Sequence, residues 1–189
     1  MRILGFDPGI ENFAWALYET EDGSVPAMGW IRGHRVSEND WRFLDSVLAT
    51  LDSCKPALIG MERFQFRDKA SVISEDVNHM IGKLHLLARM RGYETILVMP
   101  SHWKTKFQVK TLPGEAKGLF PNTKFEAIHQ ADAAGIAKYV YERKRDRAVA
   151  EEEKAAKAVT KAEKKAAKAE KAFTKSVRKR QRAATPETD

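Results

Sequence analysis

Three acidic side chains stand at the ends of predicted structural elements, where they can converge on one ligand. Asp7 ends a short apolar run directly before a Pro-Gly turn, and Glu62 ends a second apolar run. Asp132 lies in the first turns of a predicted helix. Ligands of an open α/β sheet gather at the carboxyl ends of its strands. Asp7 and Glu62 would therefore meet if their strands are neighbours, and a helix packed across that end would add Asp132.

Such a group of carboxylates has a defined chemistry. Hard divalent ions such as Mg²⁺ take oxygen ligands. Crowded carboxylates repel each other and stay ionised when cations compensate their charge. Two ions about 3.5–4 Å apart can clamp the attacking and leaving oxygens of a phosphodiester. Such a cluster therefore makes physical sense as a metal site, for which we expect two Mg²⁺ ions, with Mn²⁺ as a substitute, and no small-molecule cofactor.

Each acidic residue also has an ordinary structural explanation. An Asp before Pro-Gly is commonly a turn residue, and Asp132 would be favoured at the positive end of its helix. Glu62 can pair with Arg63 or Arg67. Each explanation is sufficient for one residue alone, whereas the joint occurrence of all three at element ends favours the metal site.

The segments that carry these residues follow a pattern typical of a mixed α/β sheet. Short apolar runs joined by turn signals predict an antiparallel meander of three strands. Strands that then alternate with helices imply a mixed sheet flanked by helices. The predicted strands are 2–7, 13–18, 27–32, 57–61 and 95–99, and the predicted helices are 40–53, 74–91 and 127–145, with a loop over 101–125.

The excess charge of the chain is concentrated at its C-terminal end. The net charge is +7. Residues 1–140 hold 17 basic and 17 acidic residues, whereas residues 141–189 hold 16 basic and 9 acidic ones. The segment 151–175 is nearly all Ala, Lys and Glu. We therefore expect a folded domain over residues 1–145 and a charged tail, helical or disordered, over residues 146–189.

Two interpretations of this tail remain open. Ala, Lys and Glu are strong helix formers, so the tail can be a solvated, partly helical extension. Alternatively, it is a basic arm that grips the DNA backbone. The second interpretation fits the charge count, because a neutral body does not attract a polyanion by net charge.

The bulk sequence also bears on location. The longest apolar stretches, 57–61 and 95–100, are far shorter than the roughly 20 residues that span a bilayer. The apolar run at the start is too short for a signal peptide, and Asp7 interrupts it. We expect a soluble, intracellular protein without a membrane partner, located in the cytoplasm.

Three motifs, taken in order, resemble the RuvC-type Holliday-junction resolvases of the RNase H-like superfamily. RILGFDPGIENFAWAL resembles the opening strand, Asp-Pro-Gly turn and second strand of that family. LIGMERF resembles its second motif, a strand that ends in a catalytic Glu, and HQADAAGIAKYV resembles its last, helical motif. The resemblance covers residues 1–142 and implies an RNase H-like mixed five-stranded sheet flanked by helices. The basic tail would fit a phage member.

The resemblance also implies roles for individual residues. Asp7, Glu62 and Asp132 match the family's metal ligands, and His129 occupies the fourth active-site position. A histidine there would ligate a metal or help to position water. The ordinary alternative for His129 is an exposed residue at the start of a helix.

The segments PSHWKTK and GEAKG resemble lysine-bearing segments of the family. Lys104 matches the first lysine, Lys106 follows two residues later, and Lys117 matches a second family position. Lysines beside an active site can hold phosphates as point charges. The alternative is that they are solvated loop lysines.

One departure from the family concerns its junction-stacking aromatic residue. The family often has an aromatic side chain three residues after the Glu, where this chain has Gln65 between Phe64 and Phe66. One of the two phenylalanines can stack on unpaired bases. Alternatively, one or both belong to the core.

The resemblance implies a crossover junction endodeoxyribonuclease that cuts Holliday junctions and other branched DNA as a homodimer. The family's dimer uses the helix that follows the Glu, which is the predicted 74–91 helix in this chain. A two-fold dimer can make paired cuts in the two strands of a junction. An RNase H acting on RNA–DNA hybrids and a non-catalytic nucleic-acid-binding relative are alternatives. Sugar-kinase and actin-like proteins can open similarly, but a body of about 140 residues is too short for them.

Overall fold

The fold is described from a computed structural model, which covers residues 1–9, 13–31, 41–63, 72–109 and 115–183 of the 189-residue chain. For residues 72–74, 115, 166, 167 and 169–183 only the backbone is described. Phe64 and Phe66, the predicted stacking residues, lie outside the described residues. Among the helices that are described, none is long and apolar enough to cross a membrane.

Five strands form one mixed sheet in the order β3-β2-β1-β4-β5. The first three strands are antiparallel neighbours, as expected for a meander, and β1, β4 and β5 run parallel. The strands that end in Asp7 and Glu62 are therefore neighbours, which is the condition for their side chains to meet. The bounds are β1 Arg2–Asp7, β2 Phe13–Glu19, β3 Ala27–Ile31, β4 Leu58–Glu62 and β5 Glu94–Val98.

Helices cover both faces of this sheet, and a buried core lies on each face. The helices are α1 Trp41–Cys54, α2 Val72–Met90, α3 Pro100–Lys106 and α4 Ile128–Ala183, with a 3₁₀ helix at Glu115–Leu119. One core joins Leu4, Phe6 and Ile59 to side chains of α1 and α2. The other joins Ile3 and Leu58 to α3 and α4. The mixed sheet flanked by helices confirms the predicted fold class.

The alternation of side chains along β1 and β4 decides which face carries the acidic residues. Successive side chains of a strand point to opposite faces. Ile3 and Leu58 lie on the α4 face, so the odd positions of β1 and the even positions of β4 face α4. Asp7 and Glu62 are the last of these positions in their strands, and both therefore lie on the α4 side.

Two glycines let α4 approach the sheet closely. A Cβ atom at Gly5 would lie 1.9 Å from the carbonyl oxygen of Ala133, and one at Gly60 would lie 2.8 Å from Cγ2 of Val140. Gly5 and Gly60 are register partners in the parallel pair of β1 and β4. Any larger residue at Gly5 would push the helix backbone away. These two positions thus set the depth at which the start of α4 lies beside the strand ends.

The prediction of a loop over 101–125 is wrong, because this region contains α3 and the 3₁₀ helix. Pro100 follows shortly after β5 and occupies the first position of α3. Proline is favoured at that position because its φ suits the helix and its missing N–H has no partner to lose. The predicted end of the last helix at residue 145 is also wrong, since α4 extends to Ala183.

The chain divides into two compact units, Met1–Arg143 and Lys144–Asp189. The first unit contains the sheet, both cores and the start of α4. In the second unit, every described side chain, at 144–165 and at 168, is exposed. The second unit therefore lacks a core among its described residues, and the domain division at residue 145 stays a prediction.

Candidate active site

The three predicted acidic residues converge at the carboxyl ends of β1 and β4. Phe6 and Met61 are register partners, so the last residues of the two strands, Asp7 and Glu62, lie side by side. Asp132 comes from the first turns of α4, packed against this face. Asp7 and Asp132 are each only 8% exposed. The convergence follows from the parallel pairing of the two strands and from the packing of α4.

His129 is hydrogen-bonded to Asp7. Its Nδ1 atom lies 2.7 Å from Oδ2 of Asp7. An ionised carboxylate only accepts hydrogen bonds, so Nδ1 carries the proton and donates it. This hydrogen bond raises the pKa of His129 above its ordinary value, against the effect of partial burial. His129 and Asp132 are three residues apart on one face of α4, which places the imidazole among the carboxylates.

Glu62 is held by a residue that the sequence analysis did not select. The indole Nε1 of Trp103 donates a hydrogen bond to Oε2 of Glu62 over 2.8 Å. Burial and the charge of Asp7 raise the pKa of Glu62 to about 7, although the Trp103 hydrogen bond opposes this shift. A buried carboxyl group close to another carboxylate prefers its neutral form. The positive charge of Lys104 also lowers the pKa of Glu62, but it offsets only part of the rise.

Asp132 faces a lysine. The Nζ atom of Lys104 lies 3.6 Å from Oδ2 of Asp132, and both side chains are largely buried. Burial and the charge of Asp7 still raise the pKa of Asp132 to about 6, and Lys104 only partly offsets them. The predicted lysine of the PSHWKTK segment is thus adjacent to the acidic group.

The donor set suits divalent cations, although it does not form a ready-made ligand cage. Three carboxylates and an imidazole offer the hard ligands that Mg²⁺ and Mn²⁺ accept. Among the described residues, no three acidic, His or Cys side chains are close enough to hold one ion as they stand. His129 instead hydrogen-bonds to Asp7, and Lys104 pairs with Asp132. A divalent ion would compensate the negative charge of Asp7, which together with burial raises the pKa values of Glu62 and Asp132.

The other predicted DNA-binding residues lie away from these contacts. Lys106 pairs with Glu142 over 3.3 Å. Lys117 is exposed on the 3₁₀ helix. The role of Lys106 and Lys117 in DNA binding stays a prediction, as does that of Phe64 and Phe66.

Two buried polar side chains that contact Glu62 or the start of α4 were not identified from the sequence. Trp103 is fully buried, and Gln130 is 1% exposed. The side-chain Oε1 of Gln130 accepts hydrogen bonds from the backbone N–H groups of Glu126 and Ala127, just before α4 begins. This fixes the start of α4, where His129 and Asp132 lie. The sequence offered two signals for these residues: Gln130 lies between His129 and Asp132, and Trp103 directly precedes Lys104.

Comparisons with known proteins agree with this fold. No protein-family model matches the sequence. The chain is 24% identical to the crossover junction endodeoxyribonuclease RuvC of Borrelia turicatae over 155 residues, which are 72% of this chain and 93% of that protein.

Solved structures of Thermus thermophilus RuvC share the fold. The structure in complex with a Holliday junction substrate matches with a TM-score of 0.61 and 18% identity, over 72% of this chain and 90% of that chain. Another T. thermophilus RuvC structure matches with a TM-score of 0.59 and 18% identity, over 72% and 91% of the two chains. The chain thus has the RuvC fold and is similar in sequence to a RuvC protein, which confirms the resemblance found in its three motifs.

Proposed function

We propose that this protein is a divalent-metal-dependent endonuclease that resolves Holliday junctions and other branched DNA by hydrolysing phosphodiester bonds. The observation that carries the proposal is the convergence of Asp7, Glu62 and Asp132 at the ends of two parallel strands in a RuvC fold. The similarity to RuvC covers 93% of the Borrelia protein. The proposed activity is therefore that of a crossover junction endodeoxyribonuclease.

In this proposal, Asp7, Glu62 and Asp132 hold two Mg²⁺ ions, and Mn²⁺ substitutes for Mg²⁺. When bound, such ions activate water for attack on phosphorus and stabilise the leaving oxygen. The hydrogen bond from His129 fixes the orientation of the Asp7 carboxylate, as outer partners commonly do for metal ligands. His129 itself either ligates an ion or positions the water. Burial of Asp7 and Asp132 strengthens their attraction to cations.

Lys104 has a second role in this scheme. In the described structure its ammonium group partly compensates Asp132. With a divalent ion held by the carboxylates, Lys104 would no longer be needed to compensate Asp132 and would be available to a DNA phosphate as a point charge. Lys106 and Lys117 would contact phosphates further out, and Phe64 or Phe66 would stack on unpaired bases.

The proposed homodimer uses the outer face of α2. Met80 and Leu84, on the inner face of α2, are buried within the chain itself. Leu86 and Met90 point outward and are 62% and 76% exposed, one helical turn apart. Exposed apolar side chains that share a helix face are typical of interaction sites. Paired strand cuts require two active sites, which a two-fold dimer supplies.

One assay tests the proposed activity against its alternatives. The protein is incubated with a four-way junction, a flap, a linear duplex and an RNA–DNA hybrid, each with Mg²⁺ and with EDTA. We expect Mg²⁺-dependent cleavage of the branched DNAs. Preferred cleavage of the hybrid would support an RNase H instead, and binding without cleavage would support a non-catalytic relative.

The variant Asp7→Asn is the matched control in this assay. It keeps the size of the side chain and its ability to accept a hydrogen bond from His129, but it removes a ligand charge. We expect junction binding close to that of the wild type and no detectable cleavage. Wild-type cleavage rates in this variant would refute the assignment of the active site.

A further inference from the structure

The indole nitrogen of Trp103 contacts one of the three carboxylates, and the rest of its side chain packs in the hydrophobic core. Its side chain is fully buried, in the core on the α4 face. A buried indole N–H needs an acceptor, because burial without one removes its hydrogen bond to water and gives nothing in return. The acceptor here is Oε2 of Glu62, 41 residues away in the chain, at 2.8 Å. Hydrogen bonds to ionised groups are stronger than neutral ones.

The ring itself has little freedom to move. A Cβ atom at Gly135 of α4 would lie 2.8 Å from Cζ3 of Trp103, so the ring packs directly against the helix backbone there. The ammonium group of Lys104 lies 5.1 Å from the centroid of the same ring. Trp103 is thus held between α4 and its neighbour on α3, and its N–H is aimed in one direction.

The neighbouring position of α3 contacts a second carboxylate. Lys104 pairs with Asp132 over 3.6 Å. Two consecutive residues of one helix therefore contact two of the three carboxylates, which come from β4 and α4. Because α3 begins directly after β5 and is fixed by the buried Trp103, its position relative to the strand ends is determined by the core.

We propose that Trp103 is a positioning residue for Glu62, whose carboxylate it holds in one orientation for a divalent ion. With Oε2 held by the indole, rotation about the last bond of Glu62 stops and Oε1 has one fixed position. A ligand held in this way loses no rotational freedom when an ion binds. Loss of an outer hydrogen bond typically lowers metal affinity or activity about 10–100-fold. The proposal rests on the proposed function, since it assigns Glu62 to a metal site.

A purely structural role for Trp103 predicts a different result. If the N–H only needs some acceptor, its removal should alter stability and leave metal binding unchanged. Trp103→Phe removes the N–H but also leaves space in a buried site, which lowers stability. A cleaner variant replaces Trp103 with 3-benzothienylalanine, which has sulfur in place of the N–H and nearly the same shape. Phe120→Leu, in the same core, is the matched control for altered packing.

The first measurement is the Mn²⁺ affinity of the full-length protein without DNA, with electron paramagnetic resonance used to monitor Mn²⁺ binding. We expect the benzothienyl variant to bind Mn²⁺ about 10-fold more weakly and to melt within a few degrees of the wild type. Phe120→Leu should melt lower and bind Mn²⁺ as the wild type does. Unchanged Mn²⁺ affinity in a benzothienyl variant that melts normally would overturn the proposal.

The second measurement is independent of metal and of cleavage. The chain has four tryptophans and therefore four indole N–H signals in a ¹H–¹⁵N spectrum. The Trp103 signal is the one missing in Trp103→Phe. Glu62→Ala should shift this signal more than the other three, and Glu62→Gln, which still offers an acceptor oxygen, should largely restore it. An unmoved Trp103 signal in Glu62→Ala would also overturn the proposal.

Single-turnover cleavage of a four-way junction separates this proposal from the proposed function. The benzothienyl variant should cut about 10-fold more slowly at limiting Mg²⁺, and raised Mg²⁺ should recover part of the loss. If the wild type cuts no nucleic acid, the proposed function fails while the Mn²⁺ and indole measurements still decide on Trp103. If the wild type cuts junctions and the variant equals it at every Mg²⁺ concentration, only the role of Trp103 fails.

Discussion

The first 143 residues and the tail contrast in how they use charge. The first unit has as many basic as acidic residues over 1–140, yet it places three carboxylates together against electrostatic repulsion. Residues 144–189 carry the whole net excess of +7, and every side chain described among them is exposed. Charges interact strongly with their neighbours when they are buried in a low dielectric, so a few of them can form a ligand site. Solvated charges are screened and contribute mainly to the overall electrostatic field. The predictions below test this difference.

The largest expected effect is on Glu62, where function and stability should change in opposite directions. Glu62→Gln keeps an acceptor for Trp103 but removes a ligand charge. We expect junction cleavage to fall at least about 10³-fold, which corresponds to about 4 kcal/mol of transition-state stabilisation. The same variant without metal should be more stable than the wild type at pH 8, because a buried carboxylate near Asp7 is no longer ionised.

The sign of this stability change follows from the raised pKa of Glu62. With a folded-state pKa of about 7, protonated Glu62 contributes stability that is complete below pH 4.5 and is lost as the pH rises through 7. Gln cannot ionise, so the gain should be at most about 3 kcal/mol at pH 8 and should vanish towards pH 4.5. Thermal melts in EDTA at several pH values check this. Glu151→Gln, an exposed tail position, should change neither property; a stability gain independent of pH at Glu62 would contradict the electrostatic explanation.

The next effect concerns the close approach of α4 to the sheet. Gly5→Ala places a Cβ atom against the carbonyl oxygen of Ala133. We expect a loss of about 3 kcal/mol in the free energy of unfolding, because the helix backbone must shift. Cleavage should also fall, since α4 carries Asp132 and His129. Chemical denaturation and single-turnover cleavage measure the two effects.

The control for Gly5 is Gly82→Ala on α2, where a Cβ atom meets nothing within 4 Å. Alanine favours a helix over glycine by about 1 kcal/mol, so this variant should be at least as stable as the wild type. Equal stability of Gly5→Ala and Gly82→Ala would show that the depth of α4 is not set by Gly5.

A smaller effect is expected at the outer face of α2. Leu86→Glu replaces a 62% exposed apolar side chain and should leave the fold intact. If α2 forms the homodimer, light scattering should give twice the chain mass of 21.4 kDa for the wild type and the single mass for the variant. Val159→Glu, at an exposed apolar position of the tail, is the control and should remain dimeric. A wild type that is strictly monomeric at micromolar concentration, free and on DNA, would exclude this dimer.

The smallest effect is expected from the tail. A chain that ends at residue 145 should still cut junctions but bind them more weakly. Each phosphate contact contributes about −0.9 to the slope of log affinity against log salt, so the truncated chain should show a shallower slope. Replacement of Lys154, Lys157, Lys161 and Lys164 by Gln keeps helix formers and removes charge, and it should reproduce part of the change. Unchanged affinity and slope would leave the tail as a solvated extension.

Much of the site could be predicted from local sequence patterns. Apolar runs that end in Asp7 and Glu62 indicate strand ends, because strand burial has a period of two residues and turns have characteristic residues. His129 and Asp132, three apart at the start of a helix, share a face by helix geometry. All five strands were predicted, and none of their ends shifted by more than one residue. These features depend on neighbours in sequence, so the sequence by itself determined them.

The tertiary structure decided which of these elements meet. The hydrogen bond of His129 to Asp7 joins residues 122 apart, and that of Trp103 to Glu62 joins residues 41 apart. Such contacts depend on the parallel pairing of β1 with β4 and on the packing of α4 against Gly5. Helix α3 was missed because Pro100 both ends a strand and begins a helix, and local preference does not distinguish these roles. The raised pKa values of Glu62 and Asp132 likewise arise from burial, which exists only once the chain is packed.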